Sequence, residues 1–159
     1  MLLWVAAACA WAAEPLTKFG VVLLQPGPVL EQRVASVDAM ADYIRSIEAA
    51  SREAVLASQL KQSTSGFIVV AVRPGQESRV WLDFDTLLNF ETSQQIVAKI
   101  TAVKPFEAHK GPVVFALKVA VWDARESRRV APSPAEWRAA TRKAGHQLDI
   151  DSLVEKVWP

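Results

Sequence analysis

Residues 67–85 read FIVVAVRPGQESRVWLDFD, and this stretch decides the fold. Residues 67–72 are a continuous β-prone run, the pattern of a strand covered on both faces. Pro74-Gly75 then fits the centre of a type II turn, because Pro presets φ at the first central position and Gly tolerates positive φ at the second. After the turn, Val80, Leu82 and Phe84 point one way, while Arg79, Trp81, Asp83 and Asp85 point the other. Two such runs around a short turn predict an antiparallel hairpin.

Helical signals flank the hairpin. Upstream, Leu30, Val34, Val37, Met40, Ala41, Ile44 and Ile47 recur at spacings of three and four, with charged residues between them. That spacing predicts one long helix over about 29–60, with Pro28 in its first turn. Downstream, Thr92 with Gln95 resembles a capping box, and Ile96, Val97 and Ile100 give a short apolar face, so a second helix is expected over 92–103. Residues 113–122 form a third strand, with Phe115, Leu117, Val119 and Val121 on one face and Lys118 and Trp122 on the other. Residues 14–28 are rich in Pro and Gly and read as an extended arm with one short strand near 19–24. In residues 123–159, Ser133-Pro134-Ala135-Glu136 is a helix start, Gly145 a C-terminal cap, and Asp151 or Ser152 the cap of a last short helix. The expected architecture is α+β. A long N-terminal helix and a second helix pack on a small antiparallel three-stranded sheet, followed by a helical C-terminal extension.

Composition narrows the classes. The chain has 159 residues, 18 Lys+Arg against 17 Asp+Glu, and one Cys. Near-neutral charge argues against a general nucleic-acid binder, and one Cys excludes a disulfide framework. No apolar run reaches the length of a membrane span. Residues 1–13, MLLWVAAACAWAA, contain no charge and fit the apolar core of a secretory signal peptide, with cleavage after Ala12 or Ala13. Export to the periplasm of a Gram-negative bacterium follows as the expected address. Ala6-Ala7-Ala8-Cys9 loosely matches a lipobox, so a lipid anchor at Cys9 is the alternative.

Helix, strand, turn, strand, helix, Pro and strand follow one another over residues 29–122. The pieces are Gly66-Phe67-Ile68-Val69-Val70-Ala71-Val72, Pro74-Gly75, the helix around Ile96 to Val103, Lys104-Pro105-Phe106, and the strand beginning Val113-Val114-Phe115. This order resembles the C-terminal domain of the periplasmic energy transducers TonB and TolA. The resemblance is one of pattern. Trp81-Leu82-Asp83-Phe84-Asp85 stands where that family often carries Ser-Ser-Gly, and no long Pro-rich spacer is present. What the resemblance implies is a free-standing periplasmic module whose sheet accepts a partner strand, without energy transduction.

Few residues suggest catalysis. Asp83 and Asp85 leave one strand face together, and paired carboxylates bind cations or share a proton. With His109 they define the one enzymatic reading, a metal-dependent hydrolase. A solvated strand face explains the same two carboxylates. His146 follows the capping Gly145, where a cation favours a helix C-terminus. No hydrolase elbow, HExxH, phosphate loop or dinucleotide fingerprint occurs. The tryptophans point to binding instead. Trp81 and Trp122 both lie opposite the apolar series of their strands, near Lys118, with Arg125, Arg128 and Arg129 as a basic rim, and aromatic and cationic groups together favour interfaces. The alternative is that the C-terminal extension, through Trp137 and Trp158, covers that face. The sequence therefore predicts a non-enzymatic module without cofactor or metal, binding another envelope protein and not nucleic acid. An inhibitor or immunity-type protein belongs to the same class.

Overall fold

The computed structural model describes residues 11–159. Most of the leader, and Cys9 with its lipid-anchor reading, lies outside the described residues. The described chain runs β1 (Leu16–Leu23), α1 (Gly27–Arg33), α2 (Val37–Ala57), β2 (Thr64–Arg73), β3 (Glu77–Phe84), α3 (Phe90–Thr101), β4 (Val113–Val121), α4 (Ala135–Ala144) and α5 (Ile150–Val157). Its class is α+β. All neighbouring strands are antiparallel, in the order β1-β4-β2-β3. No helix among the described residues is long and apolar enough to cross a membrane.

The expected three-stranded sheet and leading long helix are both incorrect. Among the described residues the first element is a strand, and the sheet has four strands. The residues read as an arm supply β1, which pairs with β4 about a hundred positions later, Leu16 opposite Val121 and Leu23 opposite Phe115. A register shift between Lys18 and Gly20 breaks its alternation, so its sequence shows no clean period of two. The single helix over 29–60 is two helices. Val34 leaves helical geometry and bridges to Ala108, and Ser36 caps α2 by accepting from the Ala39 amide at 3.1 Å. The apolar stripe runs across the break through Val34 and Val37, which hides it from a periodicity reading.

The hairpin forms as expected. Gly75 adopts φ 91°, the left-handed geometry the turn requires. Residues 64–72 of β2 are buried throughout, because both sheet faces are covered. On one face, Ile68, Val70, Phe115 and Leu117 pack against Tyr43 and Ile47 of α2 and Ile96 and Ile100 of α3. On the other, Phe67, Val69, Trp81, Val114 and Ala116 pack beneath Trp137 of α4, Leu148, and Leu153 and Val154 of α5. Helices of 10 and 8 residues are too short to persist alone. Docking stabilises them, since each large apolar side chain buried contributes roughly 1.5–3 kcal/mol.

Three caps differ from expectation. Asn89, not Thr92, caps α3 by accepting from the Thr92 amide at 2.9 Å, and the Thr92 hydroxyl is hydrogen-bonded to the Ser58 hydroxyl at 2.5 Å. Pro134 occupies the cap position of α4, and the Ser133 amide turns to Asp83. Asp149 caps α5, which frees Asp151 to pair with Arg33. Gly145 closes α4 in the left-handed conformation expected of it.

Candidate binding groove

β3 is an edge strand, paired on one side only with β2. The Asp85 amide donates to the Ser65 carbonyl at 2.8 Å, which makes Ser65 and Asp85 a hydrogen-bonded pair. Hydrogen-bonded pairs recur every second residue in an antiparallel ladder, so Phe67/Asp83, Val69/Trp81 and Ala71/Arg79 also face inward. The main-chain N–H and C=O groups of Val80, Leu82 and Phe84 therefore face away from the sheet. Among the described residues no other strand satisfies them.

A cavity of about 800 Å³ lies along this edge. One wall comes from α3 and the loop before it, through Leu87, Leu88, Phe90 and Val97. The other comes from the start of α4, at Pro134, Ala135 and Glu136. Val80, Leu82 and Phe84 form the floor. Leu87 is 83% exposed and Phe90 75% exposed, an unusual position for two large apolar side chains side by side on one rim. Glu136 accepts from Trp81 Nε1 at 3.0 Å and from Arg79 at 3.2 Å, which fixes the α4 wall to the strand.

The segment between β4 and α4 is clamped below the groove. Arg129 donates to the Asp83 carboxylate at 2.7 Å, to the Asp83 carbonyl at 2.7 Å and to Asp85 at 2.8 Å. Ser133 N donates to Asp83 at 2.6 Å, and Ser127 Oγ to Asp85 at 3.0 Å. Burial pushes the Asp85 carboxyl up, but the hydrogen bonds from Ser127 and Arg129 and the Arg129 charge outweigh it and hold the group below the ordinary carboxylate range. The guanidinium also lies 5.3 Å from the Phe67 ring centre, in cation–π range.

The residues expected to form a tryptophan surface do not come together. Trp81 is 5% exposed and packs edge-to-face on Trp137 at 5.5 Å, so the C-terminal extension covers it. Trp122 packs against the other core, below Lys61. Two physical reasons separate them. β2 lies between β3 and β4, and Trp122 adopts φ 51°, which ends the strand alternation at Val121 and turns the ring to the opposite side. Lys118 is paired with Glu126 at 2.7 Å, and Arg129 is held in the clamp. Arg125 and Arg128 remain exposed on their loop.

Asp83 and Asp85 sit together, but the cation between them is Arg129. His109 is exposed in the loop before β4, at the opposite end of the sheet from Asp83, where its amide donates to the Arg33 carbonyl. His146 lies in the α4–α5 loop with Nδ1 against the Gln147 carbonyl. Among the described residues no group of three His, Cys, Asp or Glu side chains is placed to hold a metal ion.

Sequence reasoning missed Leu82, Leu87, Phe90 and Val97. A signal was present in Leu87-Leu88-Asn89-Phe90, an apolar cluster that belongs neither to the strand alternation before it nor to the helix face after it. No family model, curated protein or solved structure matches the chain.

Proposed function

We propose that this protein is a non-enzymatic, exported binding module that captures an extended segment of another envelope protein by strand addition at β3. The carrying observation is the open β3 edge lying in an apolar groove of about 800 Å³. Strand addition uses main-chain hydrogen bonds for affinity and side-chain pockets at alternate positions for specificity. Here Val80, Leu82 and Phe84 supply both the outward backbone groups and the apolar floor. The occupant this groove fits is an uncharged extended segment with large apolar side chains at every second position. Those side chains would stand against Leu87, Phe90 and Val97. The uncharged leader supports export. The trapped carboxylates of Asp83 and Asp85 and the remote His109 give no support to hydrolysis. An inhibitor using the same edge is a narrower version of this reading.

A test uses a library of synthetic peptides with alternating apolar residues, screened against the protein and its Leu82→Pro variant. The Leu82 amide faces outward, so proline there removes a donor that the β2–β3 ladder does not use. Binding peptides should slow hydrogen exchange at the Val80, Leu82 and Phe84 amides, and Leu82→Pro should abolish binding while circular dichroism stays native. Equal peptide affinity in the variant, or bound peptide with those amides still exchanging freely, overturns the reading.

A further inference from the structure

A second hollow, of about 480 Å³, lies on the far side of the α4 start, separate from the β3 edge. Its apolar lining comes from Leu24 just after β1, Trp137, Leu148 and Leu153. Arg138 and Arg142, four residues apart and so on one face of α4, stand at its rim. Among the described residues neither side chain forms an ion pair; Arg138 spends one nitrogen on the Ser133 carbonyl, and the Arg142 guanidinium makes no hydrogen bond, its main-chain carbonyl alone accepting from the Gly145 amide. No acidic side chain lines the hollow. The acidic residues next to the lining in sequence are engaged elsewhere: Glu136 with Trp81 and Arg79, Asp149 in capping α5 through the Ser152 amide at 2.8 Å and hydroxyl at 3.0 Å, and Asp151 with Arg33. The Trp137 indole N–H, in a ring that lines the hollow, has no acceptor among the described residues.

We infer that this hollow binds a small anionic amphiphile, a carboxylate carrying a short aliphatic body. Two guanidiniums on one helical face present planar donor forks that match a carboxylate. The apolar lining beneath them removes the aliphatic body from water, and the volume lies in the range of small-molecule sites. The unpaired Trp137 N–H adds a donor that a guest oxygen satisfies after a small movement of the ring, because a buried donor left without an acceptor is unfavourable. A neutral guest of the same shape gains only the apolar part, and a cationic guest meets like charge.

The probe is octanoate, with octanol and octylamine as controls, titrated calorimetrically into the purified protein and its Arg142→Gln variant. Arg142 is exposed and its side chain makes no hydrogen bond or ion pair among the described residues, so the variant should keep native circular dichroism. Octanoate should bind at least about tenfold more tightly than octanol, and Arg142→Gln should shrink that difference while leaving octanol binding unchanged, because one of the two guanidiniums on the carboxylate is lost. The Trp137 indole N–H resonance, assigned by its loss in Trp137→Phe, should shift on octanoate addition. Equal affinity for octanoate and octanol, undiminished octanoate binding by Arg142→Gln, or no heat and no resonance shift up to about 10 mM overturns the inference. None of these outcomes bears on the β3 edge, so the two sites succeed or fail separately.

Discussion

Arg129 grips Asp83 twice, donating one guanidinium nitrogen to its carboxylate and another to its main-chain carbonyl, both at 2.7 Å. Asp83 is 8% exposed, so protein groups rather than water must satisfy its oxygens. Removing Arg129 leaves a nearly buried carboxylate facing only the Ser133 amide. Arg129→Ala should therefore destabilise the protein by about 1.5–3 kcal/mol, the range for hydrogen bonds to charged groups. Arg129→Lys should recover little, because an ammonium cannot reproduce the planar fork. Urea denaturation checks both, and full recovery by lysine would show that charge alone matters.

Trp137 joins α4 to the sheet through its edge-to-face contact with Trp81. It is 4% exposed, and Leu148, Leu153 and Val154 pack in the same cluster. Trp137→Ala should cost about 3–5 kcal/mol, the usual range for deleting a buried aromatic ring. Trp122 is only half-buried, so Trp122→Ala should cost distinctly less. If the two substitutions lower the urea midpoint equally, the covering role given to the C-terminal extension is wrong.

What was legible in the sequence follows from range. The β2–β3 hairpin was readable because its signals lie close together along the chain and β2 is apolar on both faces. Ile96 and Ile100 revealed α3 for the same reason. β1 was not readable as a sheet member, because its partner β4 lies about a hundred positions away and the shift at Gly20 blurs its alternation. Trp122 defeated the face assignment through a backbone property, positive φ at a non-glycine residue, that side-chain periodicity does not encode. The groove needed tertiary structure. Leu82, Leu87 and Phe90 come to line one groove only when α3 folds beside an edge strand, and nothing in residues 77–90 says which strand is the edge.

Acid should loosen the C-terminal extension before the sheet. The hydrogen bond from Arg33 holds the Asp151 carboxyl below its ordinary value of 3.8, outweighing burial, with help from Gln25. Asp85 is shifted the same way, its bonds to Ser127 and Arg129 outweighing burial. A carboxyl depressed in the folded state contributes stability that is complete above the ordinary value and is lost as pH falls through the folded one. Asp85 holds the segment before α4, and Asp151 ties α5 to Arg33. Hydrogen exchange followed from neutral pH down to below 3.8 should show α4 and α5 gaining exchange while β2 stays protected. Simultaneous loss across all elements would assign acid sensitivity elsewhere.

Gly66 of β2 lies directly against the main chain of β3, opposite Phe84. A Cβ there would sit 2.3 Å from the Asp83 carbonyl oxygen and 2.5 Å from the Phe84 Cα. Both are main-chain atoms of a paired strand, so no rotamer change relieves the clash. β2 cannot retreat either, because β4 pairs with it on the other side, with Gly66 opposite Val119. Gly66→Ala should therefore lower stability by about 1–3 kcal/mol or more, the range for overpacking a filled interior. It should also weaken the Arg129 clamp, since the displaced carbonyl is the one Arg129 grips. Gly20 is the control: it lies in edge strand β1, where an added methyl would meet nothing within 4 Å, so Gly20→Ala should be neutral or slightly stabilising by reducing unfolded-chain entropy. Equal urea midpoints for the two variants would mean that the β2–β3 pairing at Gly66 is looser than this geometry requires.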